Sequence, residues 1–343
     1  MRNTADKQPA NRITLLLCIL GALALFALGA LLSPLFFDRV SVQRNVLNPR
    51  PVRLGAEGLI NPLLYTDGGK APSTQLEPLR SALAAAIADD VRNGLAVDVG
   101  VYAHELKTGQ WTGVNESEKF SPASMLKVPV MLAYLKAAEA NPDILDDRLR
   151  YDNPINLNAS EDIKPLKTIE RGAPYTADEL LAFMIQYSDN NAMALLINHL
   201  GEEAVKSVYT DLQIPYPTST VTSDFLNPRQ YSRFFRVLYS ATYVNRELSE
   251  KALKLLAYPD FPQGLQAGVP STVTVAAKFG ERYFFDADLH SNRELSDCGI
   301  VYHPERPYFL CIMTKGNDFV KLGTVIRDVS AAAWRSITGD ESG

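Results

Sequence analysis

Strand-like segments stand at the two ends of this chain, and the long stretch between them, about 121–257, reads as helical. Leu95 to Glu105 (LAVDVGVYAHE) alternates as a half-buried strand does, Lys107-Thr108-Gly109 supplies a turn, and Gln110 to Val114 returns. Runs rich in β-branched and aromatic residues come back only at Thr272 to Ala277, Gly299 to Tyr302 and Tyr308 to Met313. Strands so far apart in sequence share a core most simply as one five-stranded antiparallel sheet. The expected fold is therefore α+β, an α/β-α sandwich. Helices near Gln75 to Asn93 and Leu322 to Ile337 cover the sheet, and the helical block forms a second lobe. A cleft between two lobes is a usual place for a site.

Local signals support the helices. Ser73 or Thr74 caps the first, and Gly94 follows its end. Thr176 and Glu179 have capping-box spacing before the helix 177–186, Asn191 to Leu200 is stopped by Gly201, and Asn227-Pro228 opens the run Arg229 to Ala241. Residues 38–74 contain prolines and glycines without sustained periodicity and read as a stalk, leaving 75–340 as the folded domain.

Ahead of the stalk, Ile13 to Phe37 carries no charge, which is long enough to cross a bilayer core of roughly 30 Å. Arg2, Lys7 and Arg12 precede it, so residues 1–12 are expected in the cytoplasm and everything after residue 38 outside. A cleaved signal peptide is the alternative, although its apolar core is usually only about 7–15 residues. Cys18 follows Leu17 and is not a convincing lipid-attachment site. The expected location is the cell membrane, single-pass, with the domain periplasmic or at the cell surface. Cys298 and Cys311 flank a hairpin; they read as two buried thiols, with a cross-strand disulfide as the alternative.

Composition closes off other classes. The net charge is −5 and no basic stripe occurs, which argues against nucleic acid. Only 3 Cys and 4 His are present, with no C-x-x-C or H-E-x-x-H, so no metal site or cofactor is expected. His199 lies on an apolar helix and reads as structural, whereas His290, in the loop after a late strand, is a secondary candidate for the cleft.

Three short motifs carry chemistry. In Ser124-Met125-Leu126-Lys127, Ser121-Pro122 looks like an N-cap and first helical residue, which puts Ser124 in the first helical turn. The unpaired N–H groups there favour negative charge on its oxygen, and Lys127 shares its face. A desolvated lysine loses its proton readily and activates a serine. Pro129 then removes a backbone donor within that helix. Ser188-Asp189-Asn190 follows a helix, and Lys278-Phe279-Gly280 ends a strand.

In this order (S-x-x-K, S-D-N, K-x-G) the chain resembles the serine β-lactamase and penicillin-binding-protein superfamily, closest to the class A β-lactamase domain, over about residues 75–338. The resemblance implies an acyl-enzyme on Ser124, with Lys127 taking or relaying its proton, Ser188 passing a proton to the leaving amine, and Lys278 adding positive charge. It also implies that Asn190 binds the substrate's amide group, and that Gly280 and Glu281 lie against the substrate, the N–H groups of Ser124 and Glu281 forming an oxyanion hole. The substrate would be a β-lactam or a peptidoglycan stem peptide. Two positions depart from the family pattern. Phe279 replaces a hydroxyl that helps hold the substrate carboxylate, and the stretch Pro215 to Asn227 lacks the Glu of E-x-x-L-N. Asp224 is the secondary candidate for activating water there. Without an aligned base, slow deacylation is expected, since such help is typically worth about 10²–10⁴-fold. A penicillin-sensing module with little turnover and a non-catalytic scaffold are the alternatives.

Overall fold

The computed structural model describes residues 72–217, 224–258, 261–285 and 291–339. The uncharged run 13–37, most of the stalk and His290 lie outside the described residues. Among the described residues no helix is long and apolar enough to cross a membrane.

In chain order the elements are α1 (Glu77–Arg92), β1 (Asp98–Glu105), β2 (Trp111–Val114), α2 (Lys127–Ala140), β3 (Arg148–Arg150), β4 (Pro174–Thr176), α3 (Ala177–Gln186), α4 (Asn190–Leu200), α5 (Glu202–Asp211), α6 (Pro228–Tyr239), α7 (Arg246–Leu256), β5 (Val275–Phe285), β6 (Ser291–Val301), β7 (Tyr308–Gly316) and α8 (Phe319–Thr338). Five strands form one antiparallel sheet in the order β2-β1-β7-β6-β5; β3 and β4 pair separately.

The sheet is buried on both faces, which is why β7 reads YFLCIMTKG instead of alternating with polar residues. Tyr308, Leu310 and Ile312 join the core under α1 and α8, with Leu79, Leu83, Val325 and Val329. Phe309, Cys311 and Met313 join the core of the helical lobe, with Met131, Leu180 and Phe235. The period of two thus divides one strand between two cores.

Capping chemistry sets the helix starts. Thr176 and Glu179 form a reciprocal capping box, as do Asn227 and Gln230. Ser73 caps a 3₁₀ turn at Thr74–Leu76, and α1 follows. Several expectations need correction. The strand expected to end at Lys278 runs to Phe285, so Lys278-Phe279-Gly280 lies inside it; its partner begins at Ser291, well before Gly299. Cys298 and Cys311 are directly paired across β6 and β7 and form a disulfide, in place of two thiols. Their side chains share one face of adjacent strands, the placement a cross-strand bridge requires.

Candidate active site

Ser124 lies in a 3₁₀ turn, Ala123–Leu126, and α2 begins at Lys127. This corrects the expected N-cap: Ser121 caps nothing, and its N–H donates instead to Glu294 Oε2 at 3.0 Å. Pro129 falls in the first turn of α2, where backbone N–H groups have no helical partner, so it removes nothing from the helix. The turn is held by Met125 N–H donating to the Pro122 carbonyl (2.9 Å) and by the Tyr231 hydroxyl donating to the Met125 carbonyl (3.0 Å). Ala123 sits at φ +46° and Ser188 at +58°, a region that disfavours residues with a Cβ. Two such residues flanking one cleft fit the tendency of backbone strain to gather at functional sites.

The three motifs converge. Lys127 Nζ donates to Ser124 Oγ (2.5 Å) and to Asn190 Oδ1 (2.6 Å). Lys278 Nζ donates to Ser188 Oγ (3.1 Å) and lies 4.3 Å from the Phe279 ring centroid. Both lysines are buried. Burial pulls the Lys127 amine down to about 8, partly offset by the carboxylates of Glu161, Asp189 and Glu281. A buried amine hydrogen-bonded to a half-buried hydroxyl has the geometry to take that hydroxyl's proton.

A loop between β3 and β4 frames the other side. Asp189, fully buried, caps α4 and accepts from Asn191 N–H (2.8 Å), Asn158 Nδ2 (2.8 Å) and Ile169 N–H (2.7 Å). The Asn158 side-chain oxygen in turn accepts from Asn190 N–H at 2.7 Å. Asp189 therefore ties the loop to the S-D-N motif and aims Asn190 at Lys127. Asn190 Nδ2 donates to Glu161 Oε1 at 2.6 Å. Glu281 Oε1 accepts from Ile163 N–H at 2.7 Å, spanning from β5 to the loop. Burial raises Glu281 to about 7; the Ile163 N–H partly counters it, and a hydrogen bond with the adjoining Glu161 carboxyl adds to it.

Gly280 is placed by packing. A Cβ there would stand 2.3 Å from the Pro122 carbonyl oxygen and 3.1 Å from Ser124 N. Only glycine lets β5 lie this close to the turn that carries Ser124. The Phe279 ring stacks on Phe261 (4.6 Å between centroids, 24° between planes) within the core under α8.

Asp224 is not brought to the serine. Its carboxylate meets Lys315 Nζ at 2.7 Å and Arg282 Nη1 at 3.3 Å, in a network with the buried Glu294. His199 is structural in its contacts, with Nδ1 against the Tyr134 hydroxyl and Nε2 at 3.4 Å from Asp147. Asn158, Glu161 and the Glu281 carboxyl escaped the sequence reading. Glu161 and Asn158 lie in an aperiodic loop with no motif, and only a fold brings it to Asn190.

Comparisons with known proteins bear on the family and the fold. The chain is 35% identical to Beta-lactamase OXY-2 of Klebsiella oxytoca over 86 residues, covering 24% of this chain and 28% of that protein. It is 33% identical to a beta-lactamase of Rhodobacter capsulatus over 126 residues, covering 36% and 42%. The chain thus spans less than half the length of these curated relatives. Solved structures share the fold over nearly their whole length. PBP-A superposes with a TM-score of 0.64 at 22% identity, covering 80% of this chain and 100% of that one. A beta-lactamase from Sphaerobacter thermophilus gives 0.63 at 22%, covering 77% and 98%. The family model Beta-lactamase2 matches residues 79–337, from α1 to the last turn of α8 and including all three motifs, and by this match the chain belongs to the beta-lactamase enzyme family.

Proposed function

We propose that this chain is a serine acyl-transfer enzyme acting on a β-lactam or a D-alanyl peptide of peptidoglycan. The observation that carries the reading is the pair of contacts Ser124–Lys127–Asn190 and Ser188–Lys278, two lysine-serine units in one cleft. Lys127 takes the Ser124 proton as Oγ bonds to the carbonyl carbon. The carbonyl oxygen gathers negative charge beside the backbone N–H groups of Ser124 and Glu281, where each donor is worth roughly 3–4 kcal/mol. Ser188, with Lys278 at its oxygen, delivers a proton to the leaving nitrogen as the C–N bond breaks, and the proton that Lys127 took is relayed to Ser188 in its place. An acyl ester on Ser124 and a free amine result. Water then has to cleave the ester.

Deacylation is slow in this reading. Asp224 is engaged by Lys315 and Arg282, and no contact links it to Ser124 or Lys127. The run 13–37 anchors the chain in a membrane with the domain extracytoplasmic. The Cys298–Cys311 disulfide favours such an oxidising compartment.

Labelling with a fluorescent penicillin, followed by intact mass over time, tests the reading. A label on Ser124 that persists for many minutes is expected, and Ser124→Ala should take none. Rapid loss of label would contradict slow deacylation. Equal labelling of Ser124→Ala would end the assignment.

A further inference from the structure

Helix α6 has two faces. Tyr231, Phe234, Phe235 and Leu238 are buried in the core of the helical lobe, whereas Arg229, Arg233 and Arg236, spaced by four and three residues, share another side. Those three arginines line a cavity of about 290 Å³ together with Tyr102, His104 and Trp111. Tyr102 and His104 lie two apart on β1, and His104 is directly opposite Trp111 on β2, so three rings meet on one side of the sheet. The Arg229 guanidinium lies over the Trp111 ring, 4.1 Å from its centroid. Arg233 Nη1 donates to the carbonyls of Leu212 (3.0 Å) and Gln213 (2.6 Å), which fixes its position. Among the described residues none of the three forms an ion pair with a carboxylate. Glu105, the carboxylate that acts on His104, is paired with Arg306 at 2.8 Å.

The positive charge reaches the rings that line the cavity. Burial, then the Arg236 cation, pulls His104 down to about 4, partly countered by the Gly109 backbone and Glu105. The imidazole is therefore neutral near pH 7 and adds no charge of its own. Burial raises Tyr102; Arg236, Arg229 and a Ser232 hydrogen bond pull it back, and Glu116 adds to the rise. Three like charges around one cavity repel one another, and an anion among them relieves that repulsion. The planar fork of a guanidinium bonds two oxygens of a phosphate at once. The cavity is at the small end of ligand sites, which run to roughly 300–1,000 Å³, so it suits one phosphate group with a short ester substituent. We propose that Arg229, Arg233 and Arg236 form a binding site for a phosphate group, either the free ion or the ester of a lipid headgroup, separate from the Ser124 cleft. Ser124, Lys127, Ser188 and Lys278 do not line this cavity, and the inference does not depend on acyl transfer.

Calorimetric titration of the full chain in detergent, at low ionic strength, tests the site with two probes. One is inorganic phosphate; the other is glycerophosphoglycerol, the deacylated headgroup of phosphatidylglycerol. The expected result is a Kd below about 1 mM for at least one of them, with no such binding of chloride at matched ionic strength. Tighter binding of inorganic phosphate assigns the site to the free ion, and tighter binding of glycerophosphoglycerol assigns it to the lipid headgroup. Arg229→Gln and Arg236→Gln should each weaken the tighter probe by at least about tenfold. Both side chains are exposed, so the fold should survive either change. A second measurement needs no variant: phenylglyoxal modification of the unaltered protein, followed by peptide mass, should show Arg229 and Arg236 protected by the probe that binds. Binding of neither probe, an affinity unchanged in either variant, or equal modification of the two arginines with and without the probe would overturn the site.

Discussion

An amine enclosed by protein holds its proton less firmly than one in water, and Lys127 is such an amine. Burial brings it down to about 8 against the combined pull of three carboxylates. In the proposed reaction only the neutral form takes the Ser124 proton, so the acylation rate should rise with pH and level off above about 8. Below that value the slope should approach tenfold per pH unit. Stopped-flow measurement of penicillin acylation from pH 6 to 9 checks this; a flat profile would mean that Lys127 is not the base. Lys127→Ala should lower acylation by about 10²–10⁴-fold. Asp189 makes a different kind of contribution. It touches neither lysine within hydrogen-bond distance, yet it holds Asn158, Ile169 N–H and the start of α4. Asp189→Ala should destabilise the domain by about 2–4 kcal/mol, because several buried donors lose their acceptor together. Urea unfolding of the two proteins measures the difference.

At the scale of elements, the cleft depends on how closely β5 approaches the turn that carries Ser124. Gly280→Ala would put a Cβ 2.3 Å from the Pro122 carbonyl, too close to be absorbed without moving strand or turn. The expected outcome is a loss of about 1–3 kcal/mol in stability and an acylation defect larger than that loss explains, read from unfolding curves and penicillin labelling of the same sample. The elements themselves were legible to different degrees. Helix starts were readable because capping is local: Thr176 with Glu179 and Asn227 with Pro228 lie within four residues of each other. Strand lengths were not. The stretch from Lys278 to Phe285 mixes charge, glycine and aromatics, and it is a strand because β6 pairs with it along its whole length. The disulfide was likewise hidden, since which cysteines face each other depends on register. The motif residues Ser124, Lys127, Ser188, Asn190 and Lys278 were found in sequence because a family pattern marks them. Glu161 and Asn158 were not, because their partners lie some thirty residues on and no periodicity links them. Phe279 was read as a missing hydroxyl in the cleft; its ring is part of the core.

Across the whole molecule, buried carboxyls gather on the β5–β6 ribbon. Glu281 sits on β5, and Glu294 and Asp297 on β6. Burial raises each to about 7, with Asp224 adding to the effect on Glu294, while Lys278 and the backbone N–H groups of Leu265 and Cys298 partly counter it at Asp297. Asp90 in α1 is raised to about 6, again chiefly by burial. A carboxyl whose folded value lies above its unfolded one binds its proton more tightly when folded. Its contribution to stability is complete below the unfolded value, near 4, and is lost as pH climbs through the folded value. His104, lowered to about 4 by burial, and His303, lowered less, act in the opposite sense, and the carboxyls outnumber them. Lys127 changes little in this window, because its amine is protonated in both states until pH nears 8. Carboxyls held below their usual range, such as Glu105 by Arg306 and Thr108 against its burial, and Asp318 by the Lys321 N–H, weigh only under about pH 4.5. The domain should therefore be more stable at pH 5.5 than at pH 7.5, by on the order of 1–3 kcal/mol, the reverse of ordinary acid denaturation over that range. Urea titrations at the two values provide the comparison. Glu294→Gln keeps an acceptor for Ser121 N–H and removes one titration, so it should shrink the gap between the two curves. A gap of the opposite sign would mean that these carboxyls are charged in the folded protein throughout, and that the cations of Arg282 and Lys315 outweigh the desolvation of the ribbon.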